Sequence, residues 1–239
     1  MPNDDTLLSS PGGSSPQATE LQKDAASATG HDRPPMAAPL RPAAERLTRE
    51  FDGIFDSGTI EQFLDASYQQ IAGNTEADDW NLELAERFAR QRLQALAKTH
   101  GQTDDGRPTV LFLCVHNAGR SQMALGWFDH LANGRAVAWS GGSAPGTEIN
   151  PVAVQAMAEV GIDISREYPK PWTDEIIRAV DVVVTMGCGD TCPVFPGKRY
   201  EDWQLDDPAG QDLDTVRRIR DEIGQRVRYL LNSLGVSTN

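Results

Sequence analysis

Val110-Leu111-Phe112-Leu113-Cys114-Val115-His116-Asn117-Ala118-Gly119-Arg120-Ser121 is the stretch whose reading decides the fold. An apolar run ends in a cysteine, a short turn follows, and Ser121 to Leu131 has the pattern of a helix. A strand that turns directly into a helix aims backbone N–H groups at one point, where the helix dipole favours negative charge. Cys114 and Arg120 stand six positions apart on this turn. Arg120 can grip two oxygens of a tetrahedral oxyanion as a planar fork. The same positive surroundings favour Cys114 as a thiolate, and Ser121 can donate a hydrogen bond to that thiolate or to a leaving sulfur. Val115, His116, Asn117, Ala118 and Gly119, with Arg120 and Ser121, are therefore the candidate oxyanion-binding residues. The rival reading is a buried strand-end cysteine beside a surface arginine.

From Thr109 onward strands and helices alternate. Strands are expected near residues 109–115, 136–140, 181–186 and 199–203, and helices near 121–132, 150–160, 173–180 and 212–234. This order predicts an α/β fold, a parallel four-stranded sheet with helices on both faces. Asn150 before Pro151, and Thr173 before Asp174-Glu175, read as helix starts. The turn after the first strand then falls at the carboxyl edge of the sheet, where such folds bind ligands. Trp127 and Phe128 read as helix packing.

Upstream the composition changes. Residues 1–40 are rich in Pro, Ser, Ala and Gly, lack apolar periodicity, and are expected to be a disordered tail. Residues 41–101 read as a small three-helix bundle. Its first helix carries Leu47, Phe51 and Ile54. Its second carries Ile60, Phe63, Leu64, Ser67 and Ile71, stopped at Gly73. Its third carries Leu82, Ala85, Ala89, Leu93 and Leu96, with Asp78 or Asp79 as N-cap. Glu83, Glu86, Arg87, Arg90 and Arg92 are expected to form a solvated face. Residues 102–108 read as a linker, and 109–239 as the α/β domain.

The chain has only three cysteines, and two of them, Cys188 and Cys192, lie in Thr185-Met186-Gly187-Cys188-Gly189-Asp190-Thr191-Cys192-Pro193. A hydrolase working through Cys114 needs one thiol. A reductase needs electrons, and thiols are the side chains that supply them. Gly187 and Gly189 give the backbone freedom for a disulfide between Cys188 and Cys192. Three cysteines in two distant places make a poor zinc site, so no metal is expected. Two inert buried thiols are the remaining alternative.

The formal net charge of −13 argues against nucleic acid and anionic membrane as partners. No uncharged apolar run approaches membrane-spanning length. The start, Met-Pro-Asn-Asp-Asp, has no basic region or apolar core of a signal peptide, and a reactive cysteine suits a reducing cytoplasm.

The stretch Cys114 to Ser121 resembles the phosphate-binding loop of low-molecular-weight tyrosine phosphatases and of the arsenate reductases built on that fold. The segment Gly187 to Trp203 is similar to the actinobacterial type of arsenate reductase. Asp206-Asp207-Pro208 matches the acid-bearing loop of both families, and the upstream helices resemble the N-terminal extension of some actinobacterial members. The resemblance spans about Pro108 to Leu234. It implies reduction of arsenate to arsenite, for arsenic detoxification, by a cysteine nucleophile and a thiol–disulfide relay. In the implied order Cys114 attacks arsenic, Arg120 and the loop hold the oxygens, and Asp207, in preference to Asp206, is the general acid. Cys188 then attacks Cys114, and Cys192 attacks Cys188. No cofactor is implied beyond an external reductant, either thioredoxin or, alternatively, mycothiol with a mycoredoxin. In the second route Cys188 and Cys192 are bystanders.

The family position matched by Asn117 braces the loop and in some members also ligates potassium. Those members carry a glutamate where this chain has Leu125, which speaks against such a site. A tyrosine phosphatase would use Cys114, Arg120 and Asp207 alone. Ala209 stands where phosphatases of this fold usually carry an aromatic residue, and two cysteines would be surplus. A module that binds oxyanions without turnover would not need Asp207.

Overall fold

A computed structural model of the chain describes residues 37–72, 79–103, 105–187 and 194–238. Its centre is a sheet of four parallel strands, β1 (Thr109–Cys114), β2 (Val137–Gly142), β3 (Val182–Thr185) and β4 (Arg199–Asp202), in the order β2-β1-β3-β4. β1 is buried along its whole length, which is why it reads as an unbroken apolar run. The chain steps from β1 outward to β2, then crosses back past β1 to β3. The carboxyl ends of β1 and β3 therefore flank the point where the winding reverses, the usual ligand crevice of an open parallel sheet.

One face of the sheet presents Val110, Phe112, Val182 and Val184 to helices α4 (Arg120–Ala132), α5 (Pro151–Ala158) and α7 (Leu213–Ser233). Phe112 meets Phe128 edge-on, with ring centroids 5.7 Å apart. Trp127 donates its indole N–H to the Arg220 carbonyl at 3.1 Å and lies over Gly224, where a Cβ would come within 2.8 Å of its ring. Both aromatics are packing residues, as expected from the sequence.

The other face presents Leu111, Leu113 and Val183. Helix α6 (Asp174–Ala179) has only six residues and cannot cover it. The cover is completed by α3 (Asp79–Thr99), which brings Leu84, Phe88 and Ala95 into the same core. Helix α3 has a second apolar stripe, Ala85, Ala89 and Leu93, which packs with Leu47, Ile60 and Leu64 of α1 (Arg41–Glu50) and α2 (Ser57–Ala72). One helix thus belongs to two cores. The single stripe expected from sequence included Leu82 and Leu96, which are only partly buried.

Three sequence expectations need correcting. Helical structure reaches back past residue 41 into the expected tail: Ala38–Leu40 form a 3-10 turn, and Leu40 is 2% exposed because it caps the α1–α3 core. Glu86 is not part of a solvated face. It is 8% exposed and takes guanidinium groups from both Arg46 and Arg90, which makes burial of its charge tolerable. Arg92 bridges inward as well, pairing with Glu175 of α6 and stacking over Phe63 at 4.8 Å. β2 also runs past residue 140 to Gly142, since Gly141 and Gly142 still pair with Leu113 and Cys114. The expected helix stop at Gly73, the cap at Asp78 and most of the expected tail lie outside the described residues. No helix among the described residues is long and apolar enough to cross a membrane.

Candidate active site

The turn between β1 and α4 is held from behind. The carbonyls of Val115, His116 and Ala118 accept from the backbone N–H groups of Ala144, Gly146 and Asn150, each at 2.9 Å. Because C=O and N–H point opposite ways across a planar peptide, these bonds turn loop N–H groups toward the cavity side. Asn117 sits in the left-handed region at φ 48, a conformation asparagine tolerates. Gly142 lets the loop settle on β2, since a Cβ there would meet the Val115 carbonyl at 2.6 Å.

Cys114 is 3% exposed and forms no disulfide. Its sulfur is 3.0 Å from Ser121 Oγ. The Asn117 carboxamide donates to the same oxygen at 2.8 Å, which leaves the Ser121 hydrogen free to point at the sulfur. That arrangement suits a thiolate.

Arg120 opens α4 and is 8% exposed. Its Nη2 donates to Asp207 Oδ2 at 2.7 Å. The other carboxylate oxygen of Asp207 accepts from Ala209 N–H at 3.0 Å, so the Asp-Pro turn fixes its aim. Asn150 joins the two loops: its backbone N–H bonds Ala118, its Oδ1 caps α5, and its Nδ2 donates to the Pro208 carbonyl at 3.2 Å. Cys114, His116, Ala118, Gly119, Arg120, Asn150 and Asp207 to Ala209 enclose a cavity of about 40 Å³. Asp206 is exposed and is not part of its lining. The His116 side chain is exposed as well.

The structure thus brings together Cys114, Arg120, Ser121, Asp207 and the loop Val115 to Gly119. Cys188 and Cys192 lie outside the described residues. The last described residue before them, Gly187, has φ 76 and lies so close to Arg120 that a Cβ would be 3.0 Å from Nη1. Among the described residues no group of three or more His, Cys, Asp or Glu could hold a metal ion. Leu125, at the position that speaks against potassium, is buried apolar in α4.

Sequence reasoning missed three participants. Asn150 was legible only as a helix cap. Gln122 donates from Nε2 to the Asn117 carbonyl and side-chain oxygen, both at 3.0 Å, and to the Tyr168 carbonyl at 3.1 Å. Lys170 gives its backbone N–H to Asn117 Oδ1 at 3.0 Å while its own side chain is wholly buried, which pushes its ammonium down to about 8. A lysine between two prolines carries no sequence signal of burial.

A family model for low molecular weight phosphotyrosine protein phosphatases matches residues 109–238, and one for the N-terminal domain of protein-tyrosine-phosphatase-like proteins matches residues 40–97. A relative from Staphylococcus saprophyticus described as arsenate reductase 2 is 40% identical over 131 residues, covering 53% of this chain and 98% of the relative. An arsenate reductase of Brevibacillus brevis is 39% identical over 128 residues, covering 52% of this chain and 94% of that one. The solved structure of a Corynebacterium glutamicum thioredoxin-dependent arsenate reductase superposes with a TM-score of 0.74 at 42% identity. The match covers 82% of this chain and 96% of that one.

Proposed function

The chain belongs to the low molecular weight phosphotyrosine protein phosphatase family, and on that premise we propose that it is an arsenate reductase. The observation that carries the reading is the chain of contacts Asn117–Ser121–Cys114 at the base of a cavity roofed by Arg120 and Asp207. This is a nucleophile with a donor on its sulfur, a fork for oxyanion oxygens and a carboxyl group at the mouth. Similarity to arsenate reductases over nearly their full length selects the reduction over ester hydrolysis. Cys188 and Cys192 supply the thiols that hydrolysis would not use.

The Cys114 thiolate attacks arsenic(V). The arsenic oxygens sit on the loop N–H groups and Arg120 and displace Asp207 from the guanidinium. Asp207, protonated once freed from that pair, gives its proton to the departing hydroxide, which leaves as water. The Cys188 thiolate then attacks Cys114 Sγ. The sulfur–arsenic electron pair goes to arsenic, which departs as arsenite(III), and a Cys114–Cys188 disulfide forms. Cys192 attacks Cys188, frees the Cys114 thiolate and leaves a Cys188–Cys192 disulfide. The two electrons come from two thiols, so no resident cofactor is required. An external dithiol closes the cycle. Thioredoxin is the favoured one, because the 42% identical structure is of a thioredoxin-dependent enzyme. The setting is a reducing cytoplasm, and arsenic detoxification is the biological role.

The test is steady-state arsenite formation with thioredoxin, thioredoxin reductase and NADPH. A parallel arm supplies mycothiol and mycoredoxin, and another an aryl phosphate. Turnover in the first arm supports the reading. Turnover only with mycothiol moves the reductant, and phosphate release without arsenite returns the chain to the phosphatases.

A further inference from the structure

Behind the loop lies a closed polar cluster of which the proposed reaction uses only Asn117. Asn117, Gln122, Ser140 and Lys170 are all 1% exposed or less. Lys170 is its only cation. The ammonium reaches Ser140 Oγ at 3.3 Å and the Tyr168 carbonyl at 3.5 Å, and lies 4.5 Å from the centre of the Tyr168 ring. From its own segment Glu167 approaches to 3.9 Å, and from α3 Arg87 pairs with that same carboxylate at 3.4 Å. β2 offers the Ser140 hydroxyl and α4 the neutral Gln122; Asp129, also on α4, lies within electrostatic reach of Glu167.

The backbone of Lys170 does the joining. Its N–H donates to Asn117 Oδ1, and its carbonyl accepts from Gly142 N–H at 2.9 Å. The Asn117 side chain is therefore held on one side by Lys170 and Gln122, while its Nδ2 orients Ser121 beneath Cys114. A buried charge costs free energy unless it is paired and hydrogen-bonded. Here the ammonium draws together a β2 hydroxyl and the Tyr168 carbonyl, which fixes the path of residues 168–170 and so the donor that Asn117 receives.

We propose that Lys170 is a positioning residue for the oxyanion loop: its buried ammonium anchors the segment that holds Asn117, and through Asn117 and Ser121 it sets the thiolate of Cys114. The inference deepens the proposed reaction, but its main readout does not depend on arsenate.

The experiment compares the full-length reduced chain with Lys170→Met and Ser140→Ala. The rate of carbamidomethylation at Cys114 is followed by peptide mass mapping across pH, together with kcat and KM for arsenate. In Lys170→Met a hydrogen bond to the thiolate is weakened, so Cys114 reactivity near neutral pH falls about tenfold and its pH midpoint moves upward. kcat falls more than KM rises. Ser140→Ala moves the midpoint in the same direction by less. A Lys170→Met profile that superimposes on wild type, with only a changed melting temperature, overturns the proposal. If Lys170→Met does not unfold cooperatively, an unchanged profile in Ser140→Ala overturns it. Absence of arsenate turnover in the wild-type chain would count against the reductase reading and leave the alkylation comparison intact.

Discussion

Arg120 Nη2 donates to Asp207 Oδ2 across 2.7 Å, so the guanidinium suited to grip an oxyanion also holds the candidate acid. The two partners are unequally fixed. The Arg120 side chain is 9% exposed and that of Asp207 is 48% exposed, so the carboxylate is the group free to give way. Asp207→Asn should therefore leave phosphate binding, measured by titration calorimetry, equal to wild type or tighter. Turnover should fall roughly 10²- to 10⁴-fold, the usual effect of removing a general acid. Weakened phosphate binding together with normal turnover would place Asp207 in binding instead.

Gly119 is pressed against the acid loop. A Cβ at this position would lie 2.6 Å from Pro208 Cγ. Gly119→Ala should push Pro208 and Asp207 away from Arg120, with a stability loss of about 1–3 kcal/mol. Turnover should drop by at least about tenfold, since small displacements of catalytic groups are costly. Wild-type turnover in this variant would show that the two loops need not touch.

Phe88 is fully buried where α3 meets the sheet. Phe88→Ala should destabilise the chain by about 3–5 kcal/mol. Denaturant unfolding should show one transition, shifted as a whole, because α3 serves both the helical core and the sheet core. Two separate transitions, with the active-site half unshifted, would mean that the upstream helices fold independently of the sheet.

Lys170 makes stability depend on pH in an unusual direction. Burial lowers its folded-state value to about 8, below the ordinary 10.5. The unfolded chain therefore binds more protons between these values, and stability from this group rises with pH there. The cost of burying the charged form is fully present below pH 8 and relieved toward 10.5. The stability of wild type relative to Lys170→Met should rise across that window, by up to roughly 3 kcal/mol. A flat difference measured by denaturant titration from pH 7 to 10.5 would show that Lys170 is not held charged and buried.

The α/β half was legible because its signals are local. An unbroken apolar β1, Asn150 before Pro151 and the Cys114–Arg120 spacing each depend on neighbours in sequence. What was not legible depends on contacts between distant segments. Leu84, Phe88 and Ala95 form a second stripe on α3 whose partner sheet lies beyond the next turn, so apolar spacing alone assigned the helix one face. Glu86 looks solvated until Arg46 and Arg90 are seen to meet it. Gln122 and Lys170 are polar residues buried by a network, and pattern reading treats polar residues as exposed.

The central claim is that three thiols of this chain carry the two electrons to arsenic. The most direct measurement is a single turnover: the fully reduced chain, freed of external reductant, is mixed with excess arsenate. Arsenite is counted, and the disulfide is mapped by mass spectrometry. The predicted result is about one arsenite per chain, set by one dithiol per cycle, with Cys188 joined to Cys192 and Cys114 left reduced. No arsenite, with all three cysteines still reduced, would contradict it.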